Sequence, residues 1–458
     1  GLRYIISAAK WMQKGVANRS LTYNSSHNLD FIHRKYYRLD RFFIIKLNMK
    51  YLTVLTSVVV LGSSTFGATS SIEKAHGEVR RVMTDAMAKS DLPSVVAVGI
   101  NSKGQRIEFT YGGLSWGKGK PVKTSSIFRI HSMTKIVTSI AAMQLVEQGK
   151  VQLDQDLSEL LPEMARIPIL SEEGKLVEPK KAITLRHLLT HTAGFGYPNA
   201  TYKVHSNFDA AGWKYEDFPR QFESGTRFLY GTNTDWAGKL VEKVSGMTLE
   251  AYFKKKIFKP LGIKSTYFNV PNKAQKRIVS MGNRGVDGKA KLKEIDGDEI
   301  SPNRYPKEKV KNFSGGGGLF STPSDFTKIL QCMLDHGACK GGKILKRETV
   351  ELMMQNHIGD ISLNPKGWHY DPGSCCNFNG IMDKESKWGL ATMIDNTPES
   401  YGRKSGTLVW GGYRNTYFYI DYKSGIAASI YSQHLPFNHP ATISLFEKFS
   451  EVFYKNFK

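Results

Sequence analysis

Ile130-His131-Ser132-Met133-Thr134-Lys135-Ile136-Val137-Thr138-Ser139-Ile140-Ala141-Ala142-Met143 sets a hydroxyl and an amine three positions apart at the start of an apolar segment. On a helix, positions i and i+3 share a face, so Lys135 can reach the Ser132 hydroxyl. A serine alone is a weak nucleophile at neutral pH and needs a neighbouring base. Lysine can be that base where low polarity or nearby positive charge lowers its pKa. The helix start adds free N–H groups and a positive dipole end, both favourable to a developing oxyanion. Ser-x-x-Lys also recurs by chance, with the serine as a helix cap and the lysine on the surface. Partners elsewhere in the chain must decide.

Two stretches supply them. Phe228-Leu229-Tyr230-Gly231-Thr232-Asn233 precedes a predicted helix, where the Tyr230 hydroxyl could enter a cleft as a proton carrier. Val409-Trp410-Gly411-Gly412-Tyr413-Arg414 lies where one predicted strand ends and another begins. Adjacent glycines would let a substrate approach the backbone, and a strand-edge N–H could be a second oxyanion donor beside that of Ser132. Taken singly, the first reads as a half-buried tyrosine and the second as a tight hairpin turn.

Outward from these, the pattern predicts a helix at Ile72 to Lys89 and strands at Ser94 to Asn101 and Arg106 to Gly112. Further helices are expected at Thr184 to Thr190, Asn233 to Val244, Thr248 to Phe258 (stopped by Pro260 and Gly262) and Pro323 to His336. Strands then follow at Trp388 to Ile394, Thr407 to Trp410, Thr416 to Asp421 and Gly425 to Gln433, before a closing helix at His439 to Tyr454. Strands at both ends around helices imply an α/β fold: an antiparallel sheet flanked by helices, with a mainly helical insert at about 150–310.

Met49-Lys50, the apolar run Tyr51 to Leu61 and the small residues Gly62 to Ala68 have the form of a secretory signal peptide. Residues 49–68 are therefore expected to be removed on secretion, with 1–48 an upstream segment foreign to the fold and 73–458 the catalytic domain. The apolar run is short for a membrane span, so no stable anchor is expected. The net charge is +23. No basic run, zinc-finger or RNA-binding signature accompanies it, so nucleic acid is not the expected partner. Cys332, Cys339, Cys375 and Cys376 fit no zinc spacing. Vicinal Cys375-Cys376 could pair with the other two in an oxidising compartment.

Other motifs carry less. Gly113-Leu114-Ser115-Trp116-Gly117 matches G-x-S-x-G, but a loop follows it where a nucleophile elbow needs a helix. His187 and His191 lack the glutamate of H-E-x-x-H, so they are read as structural and neither metal nor cofactor is expected. Asn199-Ala200-Thr201 and Asn312-Phe313-Ser314 are glycosylation sequons.

Taken jointly, Ser132-Met133-Thr134-Lys135, Leu188-Leu189-Thr190-His191-Thr192-Ala193-Gly194, Tyr230, Phe258-Lys259-Pro260-Leu261-Gly262-Ile263, Gly315 to Gly318 and Trp410-Gly411-Gly412 resemble the serine beta-lactamase-related superfamily. The resemblance spans about 73–455, with the motifs in family order. It implies a beta-lactamase/transpeptidase-like fold, Ser132 as acyl-enzyme nucleophile, Lys135 taking its proton, Tyr230 shuttling it, and the Ser132 and Tyr413 N–H groups as oxyanion hole. Trp410, Gly411, Gly412, Asn233 and Arg414 would contact substrate. Two departures matter. Thr232 stands where lactamases and peptidases carry the asparagine of Tyr-x-Asn, with Asn233 one step later. The third motif lacks its lysine, a cation that Arg414 could replace. Both departures resemble the esterase and acyltransferase branch. The expected function is a secreted serine hydrolase of carboxylic esters. The alternatives are a beta-lactamase or D-amino-acid peptidase, an acyltransferase, or a non-catalytic binding protein that kept the fold.

Overall fold

The computed structural model describes residues 72–116, 118–197, 217–285, 287–294, 309–363, 378, 381–382 and 385–457. The expected signal peptide, the segment before it, the Asn199 sequon, Cys375 and Cys376 lie outside these residues.

Helix α1 (72–87) presents Ala75, Val79, Met83 and Met87 as one buried stripe at a spacing of four. Strands β1 (Ser94–Asn101), β2 (Arg106–Ser115) and β3 (Lys118–Pro121) follow as antiparallel neighbours. Every residue of β1 is buried, which explains its nearly unbroken apolar run. Ser115 ends β2 in the β2–β3 hairpin, so it occupies no nucleophile elbow.

A 3₁₀ turn, His131–Met133, leads into α2 (Thr134–Glu147), which is buried from Thr134 to Leu145. Such a helix must sit inside the protein, and α2 packs against α4 (Asn233–Ser245) and α5 (Leu249–Phe253). Before them comes α3 (Leu185–Leu189), capped by Thr184. The helix expected to stop at Pro260 runs on: a π turn, Lys254–Phe258, follows α5 and leads into Lys259–Leu261, with Gly262 at φ 63° closing it. The proline sits in the first turn of that last segment, where its missing N–H costs little. Helix α6 (Pro323–Leu334) is capped by Thr322, whose side chain accepts from the Asp325 N–H.

The expected strand at Trp388 to Ile394 is instead a hairpin, β4 (Lys387–Trp388) and β5 (Met393–Asp395). Gly389 turns the chain there; a side chain on it would stand 2.3 Å from the Met353 carbonyl oxygen. Then come β6 (Thr407–Gly412), β7 (Thr416–Asp421), β8 (Ile426–Tyr431) and α7 (Pro440–Phe457). The eight strands form one sheet in the order β4-β5-β6-β7-β8-β1-β2-β3, with every neighbouring pair antiparallel.

Its two faces are covered by different helices. On the front, α6 lies against β1, β7 and β8, with Phe326 on Phe418. On the back, α7 crosses β1 and β8 so closely that a side chain on Gly99 would stand 2.8 Å from the Phe453 ring. Cys332 is a buried free thiol and Cys339 a half-buried one; a pairing with Cys375 and Cys376 falls on residues outside the described ones.

Candidate active site

The turn carrying Ser132 is held from two sides. Phe128–Arg129 pairs with Phe320–Ser321, the Ile130 N–H donates to the Leu319 carbonyl (3.1 Å), and the Leu319 N–H donates to Thr134 Oγ1 (3.1 Å). From the other side, β6 abuts Ile130. A Cβ on Gly412 would lie 2.2 Å from the Ile130 oxygen. His131, just before Ser132, sits at φ 43°, a region that side-chain-bearing residues seldom adopt. Burial, then the charges of Arg129, Arg414 and Lys135, hold its imidazole well below the usual histidine pKa.

Lys135 stands in the first turn of α2 and is 1% exposed. Its Nζ lies 3.4 Å from Ser132 Oγ, 3.0 Å from the Tyr197 hydroxyl and 2.7 Å from the Gly316 carbonyl oxygen. It also stands over the Tyr230 ring, 4.6 Å from the centroid. The Tyr230 hydroxyl accepts a bond from Trp410 Nε1 (3.0 Å). Tyr197, whose phenol oxygen meets the lysine, lies three residues beyond the quoted Leu188 to Gly194 stretch. Lys135 thus stands beside Ser132 and over the Tyr230 ring, with Tyr197 as a second tyrosine at its amine.

The glycine run supplies the carbonyl. Asp235 Oδ1 accepts from Ser314 Oγ (2.5 Å) and from the Gly316 N–H (3.0 Å), and Thr138 Oγ1 donates to the Gly315 carbonyl (2.7 Å). A Cβ on Gly315 would stand 2.7 Å from the Thr234 oxygen, and one on Gly316 2.4 Å from Asp235 Oδ2. The glycines are needed so that this loop can lie on α4 and aim an oxygen at Lys135. Arg129, His131, Ser132, Tyr197, Asp235, Ser314, Gly316 to Gly318 and Tyr413 line a cavity of about 260 Å³.

Several expected substrate contacts have other tasks. Asn233 is fully buried; its amide donates to the Phe195 (2.8 Å) and Leu229 (3.2 Å) carbonyls and meets His191 Nδ1 (3.1 Å). It ties loops together behind the cleft, because the first turn of α4 turns its side chain inward. Arg414 is 2% exposed, with its guanidinium over the Tyr413 ring. It does not line the cavity at Ser132, whereas Arg129 does. Gly411 and Gly412 are required by internal packing: side chains there would strike the Tyr417 ring at 2.6 Å and the Ile130 oxygen at 2.2 Å. Trp410 is 5% exposed and packs edge-on to Trp388 (4.6 Å) beneath the site. Of that expected stretch, Tyr413 is the described residue that reaches the Ser132 cavity. His187 Nδ1 accepts from the Thr184 N–H (3.2 Å) in a capping box, and His191 is buried against Trp388 and Tyr230.

The family model described as "Beta-lactamase" matches residues 79–446. The chain belongs to the beta-lactamase family. Within it, the chain is 30% identical over 364 residues to the monacolin J acid methylbutanoyltransferase of Aspergillus terreus, covering 74% of this chain and 84% of that one. It is also 30% identical over 343 residues to the lovastatin esterase of Penicillium rubens, covering 68% of this chain and 80% of that one. Among solved structures, unliganded simvastatin synthase (LovD) of Aspergillus terreus superposes with a TM-score of 0.71 at 27% identity, covering 82% of this chain and 97% of that one. The mixed α/β fold with a large antiparallel sheet is the one these family members share.

Proposed function

We propose that this beta-lactamase family member is a serine acyltransferase that moves an acyl group from an ester or thioester donor to the hydroxyl of a small molecule, with water as the poorer acceptor. The contacts of Lys135 carry this reading. A neutral amine has two N–H donors and one lone pair. Lys135 Nζ meets the Gly316 carbonyl oxygen and the Tyr197 hydroxyl and lies 3.4 Å from Ser132 Oγ, so as a neutral amine it would turn its lone pair to the serine proton. Ser132 Oγ would attack the acyl carbonyl as its proton passes to Lys135. The N–H groups of Ser132 and Tyr413 would hold the oxyanion. The proton would then pass to the departing group through the phenols of Tyr197 and Tyr230. In the second half the acceptor hydroxyl repeats the attack in reverse and frees Ser132.

Transfer ranks above hydrolysis because the transferase relative matches more of the chain than the esterase does. Arg129 on the cavity wall suits an acceptor that bears an acidic group. The test is product analysis. An aryl butanoate is incubated with and without a hydroxy-acid acceptor, and the new ester and free butanoate are quantified by mass spectrometry. New ester in excess of free acid, both lost in Ser132→Ala, supports transfer. Free acid alone, unchanged by acceptor, makes the chain a hydrolase. Rapid nitrocefin or D-amino-acid amide turnover with idle esters refutes both.

A further inference from the structure

A second cavity, of about 450 Å³, opens on the back of the sheet. The strand register places it there. Val409 pairs with Tyr419 and Gly411 with Tyr417, so these four share one face, while Trp410 and Phe418 alternate to the other. Trp410 and Phe418 meet Tyr230 and Phe326 on the front. Tyr419 meets α7 on the back, donating to Ser450 Oγ (3.1 Å) with its ring 5.3 Å from that of Phe446. Trp410 and Phe418 border the cavity as well, but it shares no lining residue with the cavity at Ser132.

Its walls are aromatic: Tyr401, Tyr417, Tyr419, Phe437 and Phe446 line it. Its polar end is acidic. Arg403 donates to Asp395 Oδ2 (2.6 Å) and Glu399 Oε1 (2.9 Å), so one guanidinium answers two carboxylates, and Glu447 adds a third to the lining. This excess of acid stands out in a chain of net charge +23. Burial foremost, then Glu399 and Glu451, raise the Glu447 carboxyl above its usual pKa, against the opposing charges of Arg403 and Lys448. The chain's own Arg403 illustrates what the lining prefers: its guanidinium stands 5.9 Å from the Tyr419 ring centroid, between aromatic faces and carboxylates.

We infer that this back-face cavity is a binding site for a small amphipathic cation, with its apolar body against the tyrosines and its charge at the Asp395, Glu399 and Glu447 end. The volume falls within the roughly 300–1,000 Å³ typical of small-molecule sites. Cation–π attraction and the surplus carboxylate act together on such a ligand and against its anionic counterpart.

The inference does not depend on the acyl-transfer chemistry, and its test is run on Ser132→Ala protein. Octyltrimethylammonium, octyl sulfonate and octanol are titrated below their micelle concentrations, with calorimetry and tryptophan fluorescence as readouts. The ammonium is expected to bind one to one, about tenfold tighter than the sulfonate. Glu447→Gln, on the helix surface, should weaken the ammonium about threefold and leave octanol unchanged. Ile443→Trp fills the cavity from α7 and should remove ammonium binding, provided circular dichroism shows a native melt. Equal affinity for ammonium and sulfonate, no ammonium binding at millimolar concentration, or ammonium affinity unmoved by Glu447→Gln would each overturn the site.

Discussion

Gly412→Ala adds one methyl group at the point where β6 meets the turn that carries Ser132. The new Cβ would stand 2.2 Å from the Ile130 oxygen and 2.5 Å from Thr416 Oγ1. Heavy atoms settle at roughly 3.5 Å, so β6 must retreat by about 1 Å. Overpacking of this kind costs about 1–3 kcal/mol of stability. The same retreat carries the Tyr413 N–H away from the oxyanion position assigned to it. A misplacement of about 1 Å costs on the order of 100-fold in rate. The expected result is a kcat for aryl ester turnover down about 100-fold with KM little changed, and a urea midpoint lowered without a change in m. Gly77→Ala is the internal control. Gly77 is exposed in α1 with nothing within 4 Å of its added Cβ, so it should gain about 0.5–1 kcal/mol and leave kcat alone. A Gly412→Ala protein with wild-type kcat would refute the claim that contact between β6 and Ile130 positions the oxyanion donor.

Tyr197→Phe removes the phenol oxygen 3.0 Å from Lys135 Nζ; kcat should fall about 10- to 100-fold with a native circular dichroism spectrum, and an unchanged kcat would leave Tyr230 as the sole proton carrier. Asn233→Ala should lower urea stability by about 1–3 kcal/mol while leaving KM unchanged, because the amide holds buried carbonyls and touches no substrate; a raised KM at native stability contradicts this. Acid should destabilise the fold in a defined window. Burial foremost holds His434 down at about 3 and His131 and His191 well below their usual value. The unfolded chain takes up these protons first, so stability is complete above about pH 6.5 and drains as pH falls toward 3. At ~1.4 kcal/mol per unit, His434 alone accounts for up to about 5 kcal/mol; urea melts that stay constant from pH 7 to 4 would exclude it.

The sequence by itself determined most of the elements and the adjacency of one hydroxyl and one amine. Ser132 and Lys135 are neighbours through helical spacing alone, and the apolar runs of β1 and β6 to β8 mark central strands whatever surrounds them. The helix ends at Thr184, Thr322 and Gly246 are local features too, because caps are satisfied by residues within one turn. Tertiary structure decided which side of each element faces what. Asn233 and Arg414 carry the polar groups that substrate contacts require, yet the burial of α4 and of the β6–β7 turn spends them inside. Gly411 and Gly412 looked like room for a ligand and proved to be room for Tyr417 and Ile130. Tyr197 and Asp235 join the site only because long-range packing lays the glycine run over α4, bringing residues 62 to 181 positions apart within hydrogen-bond reach of Lys135. Spacing along a chain encodes contacts within a turn or a hairpin; contacts between distant segments are set by how the whole core closes.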